Sequence, residues 1–124
     1  MIQSVYVHIP FCRSICSYCA FSKMFYEKSL VDRYLDALEQ EIKSTYQQEK
    51  LKTLYIGGGS PSCLSLRQLE RVLQILSLLK KEKEYEYTIE LNIEDMTLEK
   101  LKLLFQYGIN RLSFGIETVQ QEQL

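Results

Sequence analysis

The chain has 124 residues, 46% apolar and 25% charged, which is the profile of a globular protein with material for one core and excludes a disordered chain. Fifteen basic against sixteen acidic residues leave a formal charge of -1, so the basic footprint that grips a nucleic-acid backbone or an anionic membrane is missing. No apolar run reaches about 18 residues and MIQSVYVHIPFC lacks the basic start and long apolar core of a secretory signal, so a cytoplasmic setting is expected, in which clustered cysteines serve metals or chemistry.

The first strand is expected at residues 4–9, SVYVHI, where β-branched and aromatic residues alternate until Pro10 stops them. Directly after it, FCRSICSYC carries Cys12, Cys16 and Cys19. A helix follows through residues 29–48, with Ser29 and Asp32 as a capping pair and Leu30, Tyr34, Leu38 and Ile42 at helical spacing. Residues 53–56, TLYI, form a short buried strand that runs into GGGSPS. Ser65 with Gln68 caps a second helix, lined by Leu66, Leu69, Val72, Leu73, Leu76 and Leu79. YTIEL at residues 87–91 is a third strand, and the helix after it opens near Thr97, carries Leu98, Leu101, Leu104 and Phe105, and closes at Gly108. INRLSFGI at residues 109–116 is a fourth strand, and no linker or low-complexity segment divides the chain.

The order βαβαβαβ predicts an α/β fold of parallel strands joined by right-handed crossovers, in a doubly wound sheet or a (β/α) barrel. Both architectures place chemistry at the C-terminal ends of strands, and there the unusual residues fall: the cysteines, GGGSPS, Glu90 with Asn92, and residues 115–117. A full barrel takes eight strands and roughly 200 residues or more, so about four strands amount to half of one. The fourth strand is then expected to expose an unpaired edge, and the inward strand faces, taken as apolar, to meet no opposite wall, which favours self-association.

Residue chemistry alone leaves several sites open. Three thiolates that leave one metal position uncovered suit an iron-sulfur cluster holding a ligand, whereas a zinc site would close its tetrahedron with His8 or Cys63. The spacing needs a loop, since on a strand neighbouring thiols would face opposite sides. Gly57, Gly58 and Gly59 suit either a turn or close backbone approach to a ligand. Their segment is no dinucleotide fingerprint, because Ser62 stands where the last glycine belongs, and no Walker loop, because the lysine is missing. Glu90 alternates either onto a solvated face or into a site, and Tyr6 and Tyr18 either pack or touch a ligand. His8, beside Pro10, reads as structural, and Cys63 as a small buried hydrophobe.

Together these motifs resemble the radical S-adenosylmethionine superfamily, whose signature is CxxxCxxC. The context YVHIPFCRSICSYCAF is similar to the branch that holds oxygen-independent coproporphyrinogen III oxidase and the heme chaperone HemW. YIGGGSPSCLS resembles that branch's glycine-rich segment, YTIELN its ribose-contacting strand, and GINRLSFGIET its asparagine-arginine strand. The resemblance implies a partial (β/α) TIM-like barrel of the radical SAM type, with residues 1–124 as the N-terminal part of the core domain and the later strands and C-terminal domain absent. It implies a 4Fe-4S cluster on Cys12, Cys16 and Cys19, with one iron left for the amino and carboxylate groups of S-adenosylmethionine. Electron transfer into the sulfonium would then give a 5'-deoxyadenosyl radical.

By the same resemblance Gly58, Gly59 and Ser60 lie toward the amino group of that ligand and Glu90 accepts from its ribose hydroxyls. Tyr6 lies at the pocket, Tyr18 lies against the adenine, and Glu117 occupies a position usually held by glutamine. Ser60 keeps the hydroxyl of the usual threonine, while Glu117 cannot donate as an amide does. Phe21 stands where oxidases of the branch carry a fourth cysteine, which favours the HemW type, although Ala20 departs from its usual C-D-F. Heme or porphyrin is the implied partner beside S-adenosylmethionine, with heme contacts expected from parts of the family absent here and no electron donor implied. Three alternatives stay open: an oxidase of the same branch, a noncatalytic remnant, and a structural zinc protein. Whether the chain is an enzyme is left undecided.

Overall fold

The computed structural model describes residues 3–12, 24–25, 28–59 and 61–114. Strand β1 (Ser4–Ile9) is followed by two-residue strands β2 (Phe11–Cys12) and β3 (Met24–Phe25), which pair with each other. Then come helix α1 (Lys28–Thr45), strand β4 (Leu51–Gly58), a 3-10 turn (Pro61–Cys63), α2 (Leu66–Leu76) and β5 (Lys81–Leu91). A second 3-10 turn (Ile93–Asp95), α3 (Leu98–Gln106) and β6 (Arg111–Phe114) complete the order. The four longer strands form one parallel sheet in the order β1-β4-β5-β6.

That order separates the two expected architectures. A doubly wound sheet reverses its strand order at a switch point and carries helices on both faces. Here each strand lies beside the one before it, and one side of the sheet is covered. Val7 and Ile9 of β1, Leu54 and Ile56 of β4, and Tyr87, Ile89 and Leu91 of β5 are buried in one cluster with residues of all three helices. From α1 come Val31, Leu35 and Ile42, from α2 Leu69, Val72, Leu73, Ile75 and Leu76, and from α3 Leu103 and Leu104. The alternate residues of the same strands form an open face. Winding in a single direction with helices on one side is the barrel arrangement.

The open face corrects one expectation. The inward strand surface is polar and aromatic, built from Tyr6, His8, Thr53, Tyr55, Glu86, Thr88, Glu90, Arg111 and Ser113, and the apolar residues lie on the helix side. β1 and β6 do form the sheet edges, each pairing on one side among the described residues. Any tendency to self-associate therefore rests on backbone edges and not on an apolar wall.

Local signals explain most element boundaries. Ser65 and Gln68 form the expected reciprocal capping box, with Gln68 N donating to Ser65 Oγ at 3.1 Å and Ser65 N to Gln68 Oε1 at 3.2 Å. Thr97 caps α3 through Lys100 N, and Gly108 ends it at φ 95°, a left-handed conformation that favours glycine. Three details differ. α1 begins at Lys28 and ends at Thr45, so Ser29 lies within it and is not its cap. Its buried stripe centres on Val31 and Leu35, because Tyr34 turns its ring edge onto Phe11 and its hydroxyl to the His8 carbonyl. Leu66, Leu98 and Phe105 are exposed, while Ile75 and Leu103 take core positions.

β5 starts at Lys81, six residues ahead of its apolar part, because backbone pairing with β4 takes in the two ends of the charged KEKEYE stretch, Lys81 opposite Leu51 and Glu86 opposite Thr53. A register irregularity between Leu51 and Thr53 accommodates the extension. No helix among the described residues is long and apolar enough to cross a membrane.

Candidate functional site

The C-terminal ends of β1, β4 and β5 meet at one rim. His8 pairs in register with Gly57 and Ile9 with Gly58, so the glycine run lies directly beside the segment that enters the cysteine loop. Gly59 N donates to Ile9 O at 2.7 Å. A Cβ on Gly59 would fall onto the Phe11 carbonyl, one residue before Cys12. Gly58 has φ 115°, and a Cβ there would sit 2.7 Å from Ile9 O. The close approach that needs glycine at these two positions is between two backbones of this chain.

Gly57 serves differently. The space a side chain would occupy is taken by Glu90 Oε1 at 2.7 Å, Tyr6 Oη at 2.9 Å and Tyr55 Cε1 at 3.0 Å. Glu90 is half-buried on the open face, where Tyr55 Oη donates to its Oε2 at 2.7 Å and Gly58 N to its Oε1 at 3.1 Å. Tyr6 stacks on Tyr55, with centroids 5.7 Å apart and planes inclined by 19°. Tyr6 Oη lies 3.4 Å from His8 Nδ1. The hydrogen bond to Glu90, reinforced by burial, raises the Tyr55 phenol above its ordinary pKa, while a hydrogen bond with Ser113 opposes the rise. Burial, and then the Glu90 charge, raise Tyr6 as well.

Below this cluster a cleft of about 620 Å³ runs along the open face, lined by Thr53, Tyr55, Glu86, Thr88, Arg111 and Ser113 among others. Arg111 pairs with Glu86 at 3.0 Å, both half-exposed. Asn110 stitches β6 to β5: its Oδ1 accepts from Tyr87 N at 2.8 Å and its Nδ2 donates to Tyr85 O at 2.9 Å. The turn after the glycines is anchored from beneath. Lys100, buried on α3, donates to Ser62 O at 2.8 Å and Asp95 O at 3.1 Å, and Asn92 N donates to Ser62 Oγ at 2.8 Å. Cys63 is buried as expected, its Sγ 3.8 Å from Phe11 O.

Of the residues singled out from the sequence, Tyr6, Gly58, Gly59 and Glu90 are brought together at this rim. Cys12 closes β2, and its side chain, with Cys16, Tyr18, Cys19, Ser60 and Glu117 entirely, lies outside the described residues. Sequence reasoning missed Tyr55 and the separate role of Gly57. The signal was present, since residues 53, 55 and 57 share the parity of the open face and stand beside Tyr6 and His8.

Comparison with known proteins agrees with this arrangement. Residues 6–124 match the Radical SAM superfamily. The chain is similar to "Heme chaperone HemW" of Bacillus subtilis, 44% identical over 99% of this chain and 34% of that protein. It is also similar to the HemW of Lactococcus lactis, 45% identical over 94% of this chain and 31% of that protein. A solved structure of coproporphyrinogen III oxidase from Escherichia coli, described as a Radical SAM enzyme, superposes with TM-score 0.79 at 34% identity, covering 92% of this chain and 27% of that one. The chain thus spans about a third of the length of the curated relatives it matches. Four parallel strands covered by helices on one side are part of a TIM-like barrel, and with the match over nearly its whole length the chain belongs to the Radical SAM superfamily.

Proposed function

We propose that Cys12, Cys16 and Cys19 hold a 4Fe-4S cluster and that S-adenosylmethionine binds along the adjoining rim. Gly58, Gly59 and Ser60 would lie toward its amino group, Glu90 toward the ribose, Tyr18 against the adenine and Tyr6 at the pocket wall, with Glu117 at a ligand position usually held by glutamine. The observation that carries this reading is that Gly58 and Gly59 lie against the backbone that leads into Cys12 while Gly58 N also holds the Glu90 carboxylate.

The residues present suit both groups. Thiolates are the soft donors that iron-sulfur centres take. Glu90 Oε2 accepts from Tyr55 Oη and Oε1 from Gly58 N, and a carboxylate has about four acceptor sites, which leaves capacity for hydroxyl donors. When bound, the cluster would supply the electron that opens the sulfonium carbon-sulfur bond. The chain's own part is to orient the ligand through Glu90, whose carboxylate is seated in the space that glycine leaves at position 57, and to keep water from the helix side of the sheet.

Within the superfamily we favour a HemW-like role in heme handling over an oxidase of the same branch, with residues 1–124 as the N-terminal part of a radical SAM core acting in the cytoplasm and the heme contacts outside these residues. Phe21 at the position of the oxidases' fourth cysteine and the higher identity to two heme chaperones than to an oxidase support this choice.

The test is anaerobic reconstitution with iron and sulfide, then metal analysis and electron paramagnetic resonance with and without S-adenosylmethionine. About four irons per chain and a spectrum altered by the nucleotide are expected. Stoichiometric zinc, or a cluster blind to the nucleotide, would overturn the reading. Heme titration of the same sample tests the chaperone assignment, with no heme bound by residues 1–124 alone expected, and porphyrinogen turnover would move the assignment to the oxidase.

A further inference from the structure

We infer that Tyr55 is a positioning residue that fixes the Glu90 carboxylate to receive two vicinal hydroxyls, and thereby sets a preference for a ribose over a deoxyribose ligand. The inference deepens the nucleotide reading above and rests on it.

The four parallel strands contribute one residue each to a band that crosses the open face: Tyr6 from β1, Tyr55 from β4, Glu90 from β5 and Ser113 from β6. Tyr6 and Tyr55 are register partners, as are Glu90 and Ser113, and the band steps two residues along β5, where the register partner of Tyr55 is Thr88. Tyr55 sits at the centre. Its ring stacks on Tyr6 and its hydroxyl reaches Glu90 Oε2 at 2.7 Å, a short bond to an ionised acceptor of the stronger class. Ser113, the register partner of Glu90, also hydrogen-bonds this phenol.

The terminal torsion of a glutamate is broad, so a carboxylate held by one donor can rotate. Here Gly58 N holds Oε1 and Tyr55 Oη holds Oε2, which pins the plane from two directions. Each oxygen retains acceptor capacity, and the two are spaced as one carboxylate requires to meet adjacent hydroxyls on one ring. Removing the Tyr55 hydroxyl leaves the Gly58 bond and frees the rotation, so the second hydroxyl is no longer met.

The experiment is anaerobic calorimetric titration of the iron-loaded chain with S-adenosylmethionine and with its 2',3'-dideoxy analogue, for wild type, Tyr55→Phe and Glu90→Ala. Phenylalanine keeps the stack on Tyr6, and iron content and thermal midpoint verify that the variants fold. Wild type is expected to prefer the ribose ligand by at least about tenfold, the scale of hydrogen bonds to a charged group. In Tyr55→Phe that preference should fall several-fold, with the affinity for the dideoxy analogue unchanged. If Tyr55→Phe keeps the wild-type preference while Glu90→Ala loses it, the inference fails and the nucleotide reading stands. If Glu90→Ala binds both ligands as wild type does, the ribose role of Glu90 fails and this inference with it.

Discussion

The two faces of the sheet are made from the same strands and do opposite work. In β1, Val7 and Ile9 are buried under the helices while Tyr6 and His8 stand open. In β4 the pairs are Leu54 and Ile56 against Tyr55 and Gly57, and in β5 Ile89 and Leu91 against Glu90. The covered face gains its stability from non-directional burial of apolar area. The open face buries little and is held by a few directed contacts, chiefly those of Tyr55 and Gly58 with Glu90. The alternation of side chains along a strand lets one segment supply a core and a site without compromise to either. Substitutions on the covered face should therefore change folding and leave ligand geometry alone, and substitutions at the rim should change the site disproportionately.

The largest expected effect is on the covered face. Leu54 is 1% exposed at the centre of the core cluster, so Leu54→Ala should destabilise by about 2–5 kcal/mol in urea denaturation. Iron loading per folded molecule should be unchanged at low temperature. A loss of iron at full foldedness would break the separation of the faces. Gly59→Ala comes next. Its Cβ meets the Phe11 carbonyl backbone, which cannot rotate away as a side-chain end could, and a cost of about 1–3 kcal/mol is expected. Because Phe11 precedes Cys12, iron loading should drop along with stability, whereas Leu54→Ala lowers stability alone. Equal iron retention in the two variants would show that the glycine run does not support the cysteine segment.

Most of the architecture was legible in the sequence because its signals are local. Pro10 after an alternating run, the Ser65 and Gln68 pair and Gly108 each act within a few residues, and each marks an element end in the structure. The start of β5 was not legible: residues 81–86 carry no apolar pattern, and the pairing of Lys81 with Leu51 and of Glu86 with Thr53 draws the two ends of the stretch into the sheet. The polarity of the inward face was misread for a related reason. A parallel strand buried on both sides is apolar throughout, but these strands alternate, and only the fold decides which parity faces the helices. At the site, Glu90, Gly58, Gly59 and Tyr6 could be named from motifs, whereas strand parity could place Tyr55 on the open face but not reveal its bond to Glu90, a neighbour 35 positions away in sequence.

A smaller effect bounds the comparison on the solvent side of the covering layer. Ser65 is exposed, and its hydroxyl accepts from Gln68 N at the start of α2, far from both faces in function. Ser65→Ala should lower the denaturation free energy by about 1 kcal/mol, with iron loading and nucleotide binding unaltered. A change below about 0.3 kcal/mol would mean that packing of Leu69, Val72 and Leu73, and not the cap, defines the helix start.

The smallest expected effect concerns charge on the covered side. Lys81 places its ammonium 5.2 Å from the Tyr87 ring centroid and 5.7 Å from that of Tyr85. Burial lowers the Lys81 pKa from 10.5, and burial followed by the influence of Tyr85 raises that of Tyr87 well above 10.0. The signs differ. Between the lowered Lys81 value and 10.5 the unfolded chain binds more protons, so this lysine makes stability rise with pH there. Above 10.0 the folded chain holds the Tyr87 proton that the unfolded chain loses, so the phenol makes stability fall. Lys81→Met should flatten the rising limb and Tyr87→Phe the falling one, each read as a difference from wild type in urea titrations across alkaline pH. The Tyr87 hydroxyl is buried without a hydrogen-bond partner among the described residues, so Tyr87→Phe should cost no stability at neutral pH. Loss of stability at neutral pH in that variant would place an unseen polar partner, such as a water, inside the covered face and make that face less purely apolar than its exposed counterpart implies.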